Sequence, residues 1–378
     1  MKTPLSNALS KIIKHSSTSL KKEFIPLIKA RGRISAQLIH AKYNIPSHDI
    51  SLRDGFVLKS DMLKKLPMQT DKLPQVQTGS RIDGDFVYII EKERVKSKLI
   101  NQDLLAKLPR AKEFIKPKGE DIQKGQILIN KGDTINSFDV ANLASQGISE
   151  VLVYEKIKIA YIGVNDSIVD LDQDLQNGQI YNSNAYAIAT RGKVLGASVS
   201  EILHVKSNSG ALKEKLMGLK NCHAIVTIGS MGKGDCVDTL LEDKDFNVIF
   251  KGVALAPGGL SGFSFLGSIP ILHLPGLPLS AFLGFEVLGS TMINTLYGKR
   301  FAKHNAIKTF SLERIKTQSS SQSVIPGFFD GSFFKPFKAK PGMMNVLNNC
   351  NGYIITPLSS GIKEGDRVDF YPFLAWND

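Results

Sequence analysis

The chain has 378 residues, of which 42% are hydrophobic and 22% are charged, and its formal net charge at pH 7 is +13. This length and composition predict a globular protein of about two to four domains. The basic balance favours anionic partners such as phosphorylated small molecules, but the lysines are scattered, so we attribute most of the charge to a solvated surface. Zinc-finger spacing and an aromatic-basic RNP pattern do not occur, so we expect no nucleic-acid partner.

The cysteines and the apolar runs indicate the compartment. Cys222, Cys236 and Cys350 form no C-x-x-C pair, and their odd number argues against a disulfide framework. A reducing cytoplasm is therefore the expected location. The first 20 residues lack the apolar stretch of a signal peptide, and we find no apolar run of about 18 residues that predicts a membrane span.

The first half of the chain is mixed in character. Residues 5–43 predict helices, first "LSNALSKIIKHSS" and then "ISAQLIHAKYN". Residues 44–62 contain turn residues, including the Asp54-Gly55 pair, and "DFVYIIEKERVK" predicts a strand. Residues 116–135, with glycines between brief apolar pieces, are typical of a small β-rich module. Residues 137–148 predict a short helix that is capped by Ser137 and ends at Gly147.

From residue 157 the pattern changes to alternating strands and helices. "KIAYIGV" predicts a buried strand, "NSNAYAIATRGKVLGASV" a helix and a strand, and "SGALKEKLMGL" and "HAIVTIG" a further pair. Residues 268–298 predict a strand, a Pro-Gly turn and a long apolar helix. This alternation predicts a parallel sheet, whose ligands bind at the carboxyl ends of the strands. Residues 301–378, with short β-type pieces and turns, predict a small all-β module.

A glycine loop lies where such a ligand site is expected. "IVTIGSMGKGDCVDTL" at residues 225–240 combines an apolar strand, three glycines within six positions and the start of a helix. Such a loop can present backbone N–H groups to an anion. The spacing fits neither a Walker A loop nor the dinucleotide fingerprint G-x-G-x-x-G. An ordinary βα turn in which Asp235 caps the following helix remains an alternative.

The ordered set of loops resembles the molybdopterin molybdenumtransferase family, which includes MoeA and the gephyrin E domain. The resemblance covers nearly the whole chain. Its elements are, in order, "DISLRDGFV" (49–57), "TGSRIDGDFVYIIEKE" (78–93), "KPKGEDIQKGQILINKGDTI" (116–135), "NGQIYNSN" (177–184), "GSMGKGDCVD" (229–238), "APGG" (256–259), "LPGLP" (274–278), and finally "NGYIITP" (351–357) and "GIKEGDRV" (361–368).

The resemblance implies a multidomain α/β and β fold. It implies mixed N-terminal domains, a three-layer α/β molybdopterin-binding domain with a parallel-type sheet, and a small C-terminal β-barrel. The corresponding boundaries are a linking helical and β domain at residues 1–43 with 108–156, a mixed α/β insert at 44–107, the molybdopterin-binding domain at 157–300 and the barrel at 301–378.

The function that the resemblance implies is the insertion of molybdate into adenylylated molybdopterin, with release of AMP. It further implies a cytoplasmic transferase that uses Mg²⁺, forms a homodimer and contacts other enzymes of the molybdenum cofactor. These substrates carry phosphates and an oxyanion, which require cations and N–H donors, whereas a hard divalent ion requires carboxylate oxygens.

The same resemblance assigns roles to individual residues. Asp54, Asp166 and Asp235 are the expected catalytic residues, with Asp54 coming from the second subunit and with Asp166 and Asp235 as metal ligands. The expected substrate-binding residues are Gly229, Ser230, Gly232, Lys233, Gly234, Asn182, Ser183, Asn184, Pro257, Gly258, Pro275 and Gly276.

The chain departs from the family pattern at several of these loops. Ala256 and Gly259 occupy the two lysine positions of the family's K-P-G-K loop, and Ser167 occupies the position of a glutamate. Leu277 replaces an asparagine, and Pro341 stands where a serine is usual. Lys233 is a candidate to return one of the lost positive charges. Two functions therefore stay open: an active molybdenumtransferase with altered anion contacts, and a non-catalytic relative that binds the pterin or acts as a scaffold.

Overall fold

A computed structural model describes residues 2–16, 20–108, 110–299, 306–317, 320–358 and 361–373. The chain forms two compact units. The large unit comprises Met1–Glu23 and Tyr154–Asp378, and the small unit comprises Phe24–Val153. The finer domain boundaries that the sequence predicts stay a prediction.

The helices and strands of the described residues are as follows. The α-helices are α1 (Leu5–His15), α2 (Gln102–Leu105), α3 (Ser137–Ser145), α4 (Ser183–Val194), α5 (Ser209–Gly218), α6 (Cys236–Leu240), α7 (Pro278–Gly284) and α8 (Ser290–Leu296). Short 3-10 helices occupy Leu27–Lys29, Ser60–Lys65, Thr70–Lys72, Lys92–Arg94 and Asn345–Asn349, and a π-helical turn (Phe285–Gly289) joins α7 to α8. The strands are β1 (Lys22–Pro26), β2 (Ile39–His40), β3 (Ile50–Ser51), β4 (Gly55–Lys59), β5 (Met68–Gln69), β6 (Gln75–Val76), β7 (Phe86–Glu91), β8 (Leu99–Ile100), β9 (Ile115–Lys116), β10 (Ile127–Ile129), β11 (Glu150–Tyr154), β12 (Lys158–Val164), β13 (Ile168–Val169), β14 (Ile180–Tyr181), β15 (Ser198–Val205), β16 (Ala224–Ile228), β17 (Phe246–Lys251), β18 (Leu255–Ala256), β19 (Gly262–Leu266), β20 (Ile269–Leu274), β21 (Ile307–Ser311), β22 (Gln322–Phe329), β23 (Phe333–Pro336), β24 (Gly352–Ile355) and β25 (Arg367–Pro372).

The small unit is built from short antiparallel pieces. β2 pairs with β10, β3 with β9, β5 with β8, and β4 lies between β6 and β7. The predicted strand in "DFVYIIEKERVK" is confirmed as β7. The predicted short helix is confirmed as α3, but its cap is Asn136 and not Ser137, because the Asn136 side chain accepts hydrogen bonds from Phe138 N and Asp139 N in a capping box.

The helix predicted at "ISAQLIHAKYN" is wrong. Ile34 bridges Thr134, Ser35 bridges Val153, and Ile39 pairs with Ile129 in the β2–β10 ladder. These backbone partners are distant in sequence, and they bury Ile39 and Ile129 in one apolar cluster. Tertiary pairing therefore overrides a local pattern that favours a helix.

The large unit contains a six-stranded sheet within the described residues, in the order β15-β12-β16-β20-β19-β17. β15, β12, β16 and β20 are parallel, as predicted. These four strands confirm the predicted parallel-type sheet. β19 is antiparallel to both β20 and β17, so the complete sheet is mixed. The hairpin from β19 to β20 explains the difference, because strands joined by a short turn pair antiparallel.

Helices cover both faces of this sheet, which gives the three predicted layers. Ala160 and Ile162 of β12 lie in the core cluster with α5 and α6. Tyr161, on the opposite face, contacts Phe285 edge to face, and a Cβ atom added at Gly192 of α4 would collide with its hydroxyl. Burial on both sides explains why the sequence of β12 is continuously apolar.

One helix of the described residues is long and apolar enough to cross a membrane. It runs over Pro278–Leu296, which the sequence analysis did not count as such a run. Because 89% of it is buried inside the protein, we interpret it as the core helix of the large unit.

The end of the described chain is a small barrel, as predicted. β22, β23, β21, β25 and β24 pair in succession, and β24 pairs back with β22, so these described strands close on themselves. Phe334 and Phe370 are fully buried at its centre.

Candidate active site

The loops at one edge of the sheet form the candidate site of the large unit. The carboxyl ends of β12, β15, β16 and β20 lie together at this edge because these strands are parallel. The connection from β17 to β19, residues 252–261, lies at the same edge, because Lys251 at the end of β17 pairs with Gly262, and Gly262 pairs with His273 near the end of β20. The expected site residues of the large unit belong to these loops or to the start of α4, where ligands of such sheets bind.

Gly229 joins three strand ends. Its N–H donates to the carbonyl of Leu274, at the end of β20, over 2.9 Å. Its φ is +113°, and a Cβ atom at this position would collide with the carbonyl oxygen of Val164, at the end of β12. Glycine is therefore required here, for its backbone conformation and for the close approach.

Asp235 shapes the glycine loop instead of capping α6. It occupies the N-cap position, but its side chain makes no capping hydrogen bond. Its Oδ2 accepts from Gly232 N over 2.8 Å, and the absence of a side chain at Gly232 leaves room for the carboxylate. Asp235 therefore lies at the N-cap position that the alternative predicted, but its side chain does not cap the helix.

Asp238, on the first turn of α6, is a further residue that contacts this loop and that was not among the expected site residues. Its Oδ2 accepts from Gly234 N over 3.0 Å, and its Oδ1 lies 2.9 Å from Nζ of Lys251 at the end of β17. The Gly234 N–H, followed by the Lys251 ammonium, lowers the pKa of this carboxyl. An acidic residue on the first turn after a glycine loop is the available sequence signal.

The loop's own carboxylates therefore occupy two of its glycine N–H groups. Gly232 N and Gly234 N donate to Asp235 and Asp238 and do not point to a free anion site in this conformation. Lys233 is exposed between them, and its charge contributes to the lowered pKa of Asp238. Its role in replacing lost lysines stays a prediction.

Asp166 is held beside the same loop. Its Oδ1 accepts from Ser207 N over 2.9 Å, and the Ser207 and Ser230 hydroxyls lie 3.3 Å apart. Ser230 also donates to Val164 O over 3.1 Å, so β12, β15 and β16 are connected at their ends. Burial, followed by the charges of Asp166 and Asp235, raises the pKa of the Cys236 thiol.

The asparagines at the start of α4 have different roles. Asn182 is buried, and its amide donates to Leu203 O over 2.9 Å. Asn184 donates to Gly276 O over 2.7 Å, which attaches the helix to the Pro275-Gly276 turn. Ser183 is exposed. Of these three residues, Asn184 and Ser183 are the ones at the edge itself.

The Ala256–Gly259 turn packs on α7. Gly258 has a φ of +110°, and a Cβ atom added there would lie 3.5 Å from Ser280 O. Gly259 has no positive φ, but a Cβ atom there would lie 2.9 Å from Leu255 O and 2.5 Å from Nζ of Lys2. Pro257 lies between Ala256 and this glycine pair.

The small unit holds a separate cluster of expected residues. Asp54 Oδ1 accepts from Thr78 N over 2.6 Å and from Thr78 Oγ1 over 2.8 Å. These bonds, the backbone one first, lower the pKa of the Asp54 carboxyl, and the charge of Lys92 adds to them. Asp49 accepts from Lys118 N over 2.7 Å. Three elements of the family resemblance, at 49–57, 78–93 and 116–135, therefore meet within this unit.

The carboxylates of the large unit do not form a closed metal cage. Over the described part of the chain, no group of three or more His, Cys, Asp or Glu residues is placed to hold a metal ion. Asp166 and Asp235 each use one oxygen for a backbone N–H. Such a pair suits Mg²⁺, which is commonly held by one or two carboxylates together with water and substrate phosphates.

Comparisons with known proteins agree with this architecture. Residues 3–147 match the MoeA N-terminal region (domain I and II), and residues 160–295 match a probable molybdopterin binding domain. The chain is 26% identical to molybdopterin molybdenumtransferase of Haemophilus influenzae over 98% of each protein. It is 26% identical to that of Staphylococcus aureus strain COL over 97% of this chain and 94% of the relative.

Solved structures show the same fold. The molybdopterin biosynthesis MoeA protein of Pyrococcus horikoshii OT3 superposes with a TM-score of 0.79 at 21% identity, over 98% of this chain and 100% of the other. A molybdenum cofactor biosynthesis protein of Pyrococcus furiosus gives a TM-score of 0.66 at 18% identity, over 98% and 100% of the two chains. The order of the two domain matches, the full-length relatives and the shared fold show that this chain belongs to the MoeA family of molybdopterin molybdenumtransferases.

Proposed function

We propose that the protein acts in molybdenum cofactor biosynthesis as a molybdopterin molybdenumtransferase. In this reaction molybdate is inserted into adenylylated molybdopterin, and AMP is released. The observation that carries the proposal is that two carboxylates, Asp166 and Asp235, are each held by a backbone N–H group in the loops at the carboxyl edge of the sheet. The names of the full-length relatives favour this enzyme over a non-catalytic pterin-binding or scaffold protein.

The residues at the carboxyl edge of the sheet have different roles in binding an anionic substrate. Asp166 and Asp235 would repel phosphate and molybdate by themselves, so they are suited to hold a divalent cation between protein and substrate. Mg²⁺ bound there would supply charge neutralisation for the leaving phosphate. Asp238 and Lys251 keep the glycine loop in shape, and the Asn184 bond to Gly276 O fixes the neighbouring turn.

In the proposed function, Asp54 acts in the site of a second subunit. The family resemblance implies a homodimer in which Asp54 completes the site of the partner. The lowered pKa keeps this carboxylate ionised at neutral pH, as a cation-binding or water-orienting role requires. We further propose that the protein works in the cytoplasm and passes its product to other enzymes of the molybdenum cofactor.

Molybdate-dependent AMP release from adenylylated molybdopterin tests the function. We expect release by the wild type and a kcat lowered about 100-fold or more in Asp235→Asn. The amide retains an oxygen that accepts from Gly232 N, so this variant removes the charge while keeping the loop bond. The readout is AMP by chromatography, with molybdate and Mg²⁺ varied.

Asp243→Asn is the matched control. Asp243 pairs with Lys213 over 2.6 Å and precedes β17, so it lies at the opposite edge of the sheet. We expect its kcat to stay within about twofold of wild type, because a single surface ion pair contributes little. Binding of adenylylated molybdopterin without AMP release at any molybdate concentration would instead assign the chain to the non-catalytic alternative.

A further inference from the structure

The segment before α1 is fixed against the loop that follows β17. Thr3 N donates to Gly252 O over 3.1 Å, and Ala254 N donates to Thr3 O over 2.7 Å, so Thr3 and Val253 form a parallel bridge. Immediately afterwards, Leu5 and other residues on one side of α1 are buried. The backbone that follows Lys2 is therefore fixed at the carboxyl edge of the sheet, and this places Lys2 at the same edge.

The side chain of Lys2 fills space that two glycines leave open. A Cβ atom added at Gly252 would lie 3.5 Å from Cγ of Lys2. A Cβ atom added at Gly259 would lie 3.5 Å from Cε and 2.5 Å from Nζ. Gly259 has no positive φ, but an added Cβ atom would also lie 2.9 Å from the backbone oxygen of Leu255. This backbone contact restricts the position to a residue without a side chain, and the Lys2 ammonium occupies the space beside it.

Among the residues that the structure describes, no carboxylate forms an ion pair with Lys2. Lys251, at the end of the neighbouring strand, is instead committed to Asp238. An unpaired ammonium thus lies against a turn whose own side chains, at Ala256 and Gly259, carry no charge.

We propose that Lys2 is the cationic residue of the 256–259 turn and binds a tetrahedral oxyanion there. This inference rests on the proposed function, in which molybdate and a phosphate are the two oxyanions. It assigns to a residue before α1 the charge that the turn itself lacks. An oxyanion taken from water needs a cation or N–H donors to replace its hydration, and the Lys2 ammonium supplies both.

Calorimetry at low salt tests the inference with molybdate alone and, separately, with AMP. The variants are Lys2→Gln and Lys2→Arg, each with its affinity tag at the C-terminus. We expect the Kd of the oxyanion to rise about tenfold in Lys2→Gln, because hydrogen bonds to charged groups are among the stronger ones. Lys2→Arg should stay within about threefold, because the guanidinium keeps the positive charge and the N–H donors.

Lys11→Gln is the matched control, since Lys11 lies on α1 and donates to Ile249 O without reaching the turn. We expect wild-type affinity from it. A tenfold loss confined to the molybdate titration identifies the turn as the molybdate site, and a loss confined to AMP identifies it as the phosphate site. Equal affinity of Lys2→Gln and wild type in both titrations, or no binding of either anion by the wild type, would overturn the inference.

The AMP-release assay separates this inference from the proposed function. Release by the wild type with an unchanged KM for molybdate and unchanged AMP binding in Lys2→Gln contradicts the role of Lys2 alone. Oxyanion binding that depends on Lys2, without AMP release under any condition, contradicts the proposed reaction and supports the binding role.

Discussion

His273 is buried at the centre of the mixed sheet between two hydroxyl groups. Its Nδ1 lies 2.7 Å from Thr227 Oγ1, and its Nε2 lies 2.9 Å from Ser264 Oγ. Burial, with a smaller contribution from the charge of Lys251, lowers the pKa of His273 to about 3. The imidazole is therefore neutral in the folded protein at neutral pH, and its hydrogen bonds connect β16, β20 and β19.

This burial predicts a pH dependence of stability. The unfolded chain protonates His273 below a pH of about 6.5, whereas the folded protein does not until about 3. The unfolded state thus binds more protons, and stability falls as the pH drops through this window, by about 1.4 kcal/mol per pH unit from this residue. Between pH 7 and pH 5, urea unfolding should show a loss about 2 kcal/mol larger in wild type than in His273→Gln.

The glutamine variant is informative because its amide offers a donor and an acceptor to the same two hydroxyls without titrating in this range. His15→Gln, which changes an exposed histidine on α1, serves as the control and should retain the wild-type slope. Parallel pH profiles for wild type and His273→Gln would contradict the assignment of the pH dependence to this imidazole.

At the scale of the element, two glycines of the loop after β16 have a positive φ but differ in the space around them. Gly229 combines a φ of +113° with a collision between an added Cβ atom and Val164 O. Gly234 has a φ of +79° but nothing within 4 Å of an added Cβ atom. We expect Gly229→Ala to lower the free energy of unfolding by about 3 kcal/mol and Gly234→Ala by about 1 kcal/mol.

Urea unfolding at pH 7 measures both losses on the same scale. Both substitutions replace a glycine of positive φ by alanine. The difference between their losses of unfolding free energy therefore reports the close approach of Val164 O to Gly229. Equal losses in the two variants would show that the loop moves away from Val164 at little cost.

The elements of the large unit were predictable because their signals are local. Strands that are buried on both faces, such as Lys158–Val164, have continuous apolar runs, and the intervening helices have caps and polar faces. The segment that failed, residues 34–43, forms backbone pairs with residues around 127–135 and 153, and no local period contains that information. The sequence also did not predict that β19 runs antiparallel to β17 and β20. The direction of a strand depends on how the chain connects it to its neighbours, and a local sequence pattern does not contain that information.

The site was predictable to the level of the loops and not of their internal bonds. Parallel strands place Asp166 and the glycine loop at one edge, and the family resemblance names both. The bonds that organise the loop join Asp238 to Lys251, and Lys2 lies against Gly259; these pairs come from separate elements that only the folded sheet brings together. The sequence therefore indicates which loops form the site, but it does not indicate which charged side chains from other elements lie against those loops.

For the whole molecule, the expected residues fall into two clusters, one in each compact unit. The small unit holds Asp54 with Thr78, and the large unit holds Asp166, Asp235 and the glycine loop. The proposed homodimer explains this division if each site takes Asp54 from one subunit and Asp235 from the other. A light-scattering mass of about 83 kDa, twice the 41.4 kDa of the chain, is the first expectation.

Mixed dimers test the shared site directly. Asp54→Asn and Asp235→Asn chains with different C-terminal tags are coexpressed, and the mixed dimer is isolated by two successive affinity steps. In a site shared between subunits, both substitutions fall in one site and the other is intact, so AMP release should return to about half of the wild-type rate per dimer. Each variant alone should be inactive, because both of its sites then carry the substitution. If every site is built from a single chain, each half of the mixed dimer carries one defect and no activity returns. Failure to recover any doubly tagged complex would contradict the dimer itself.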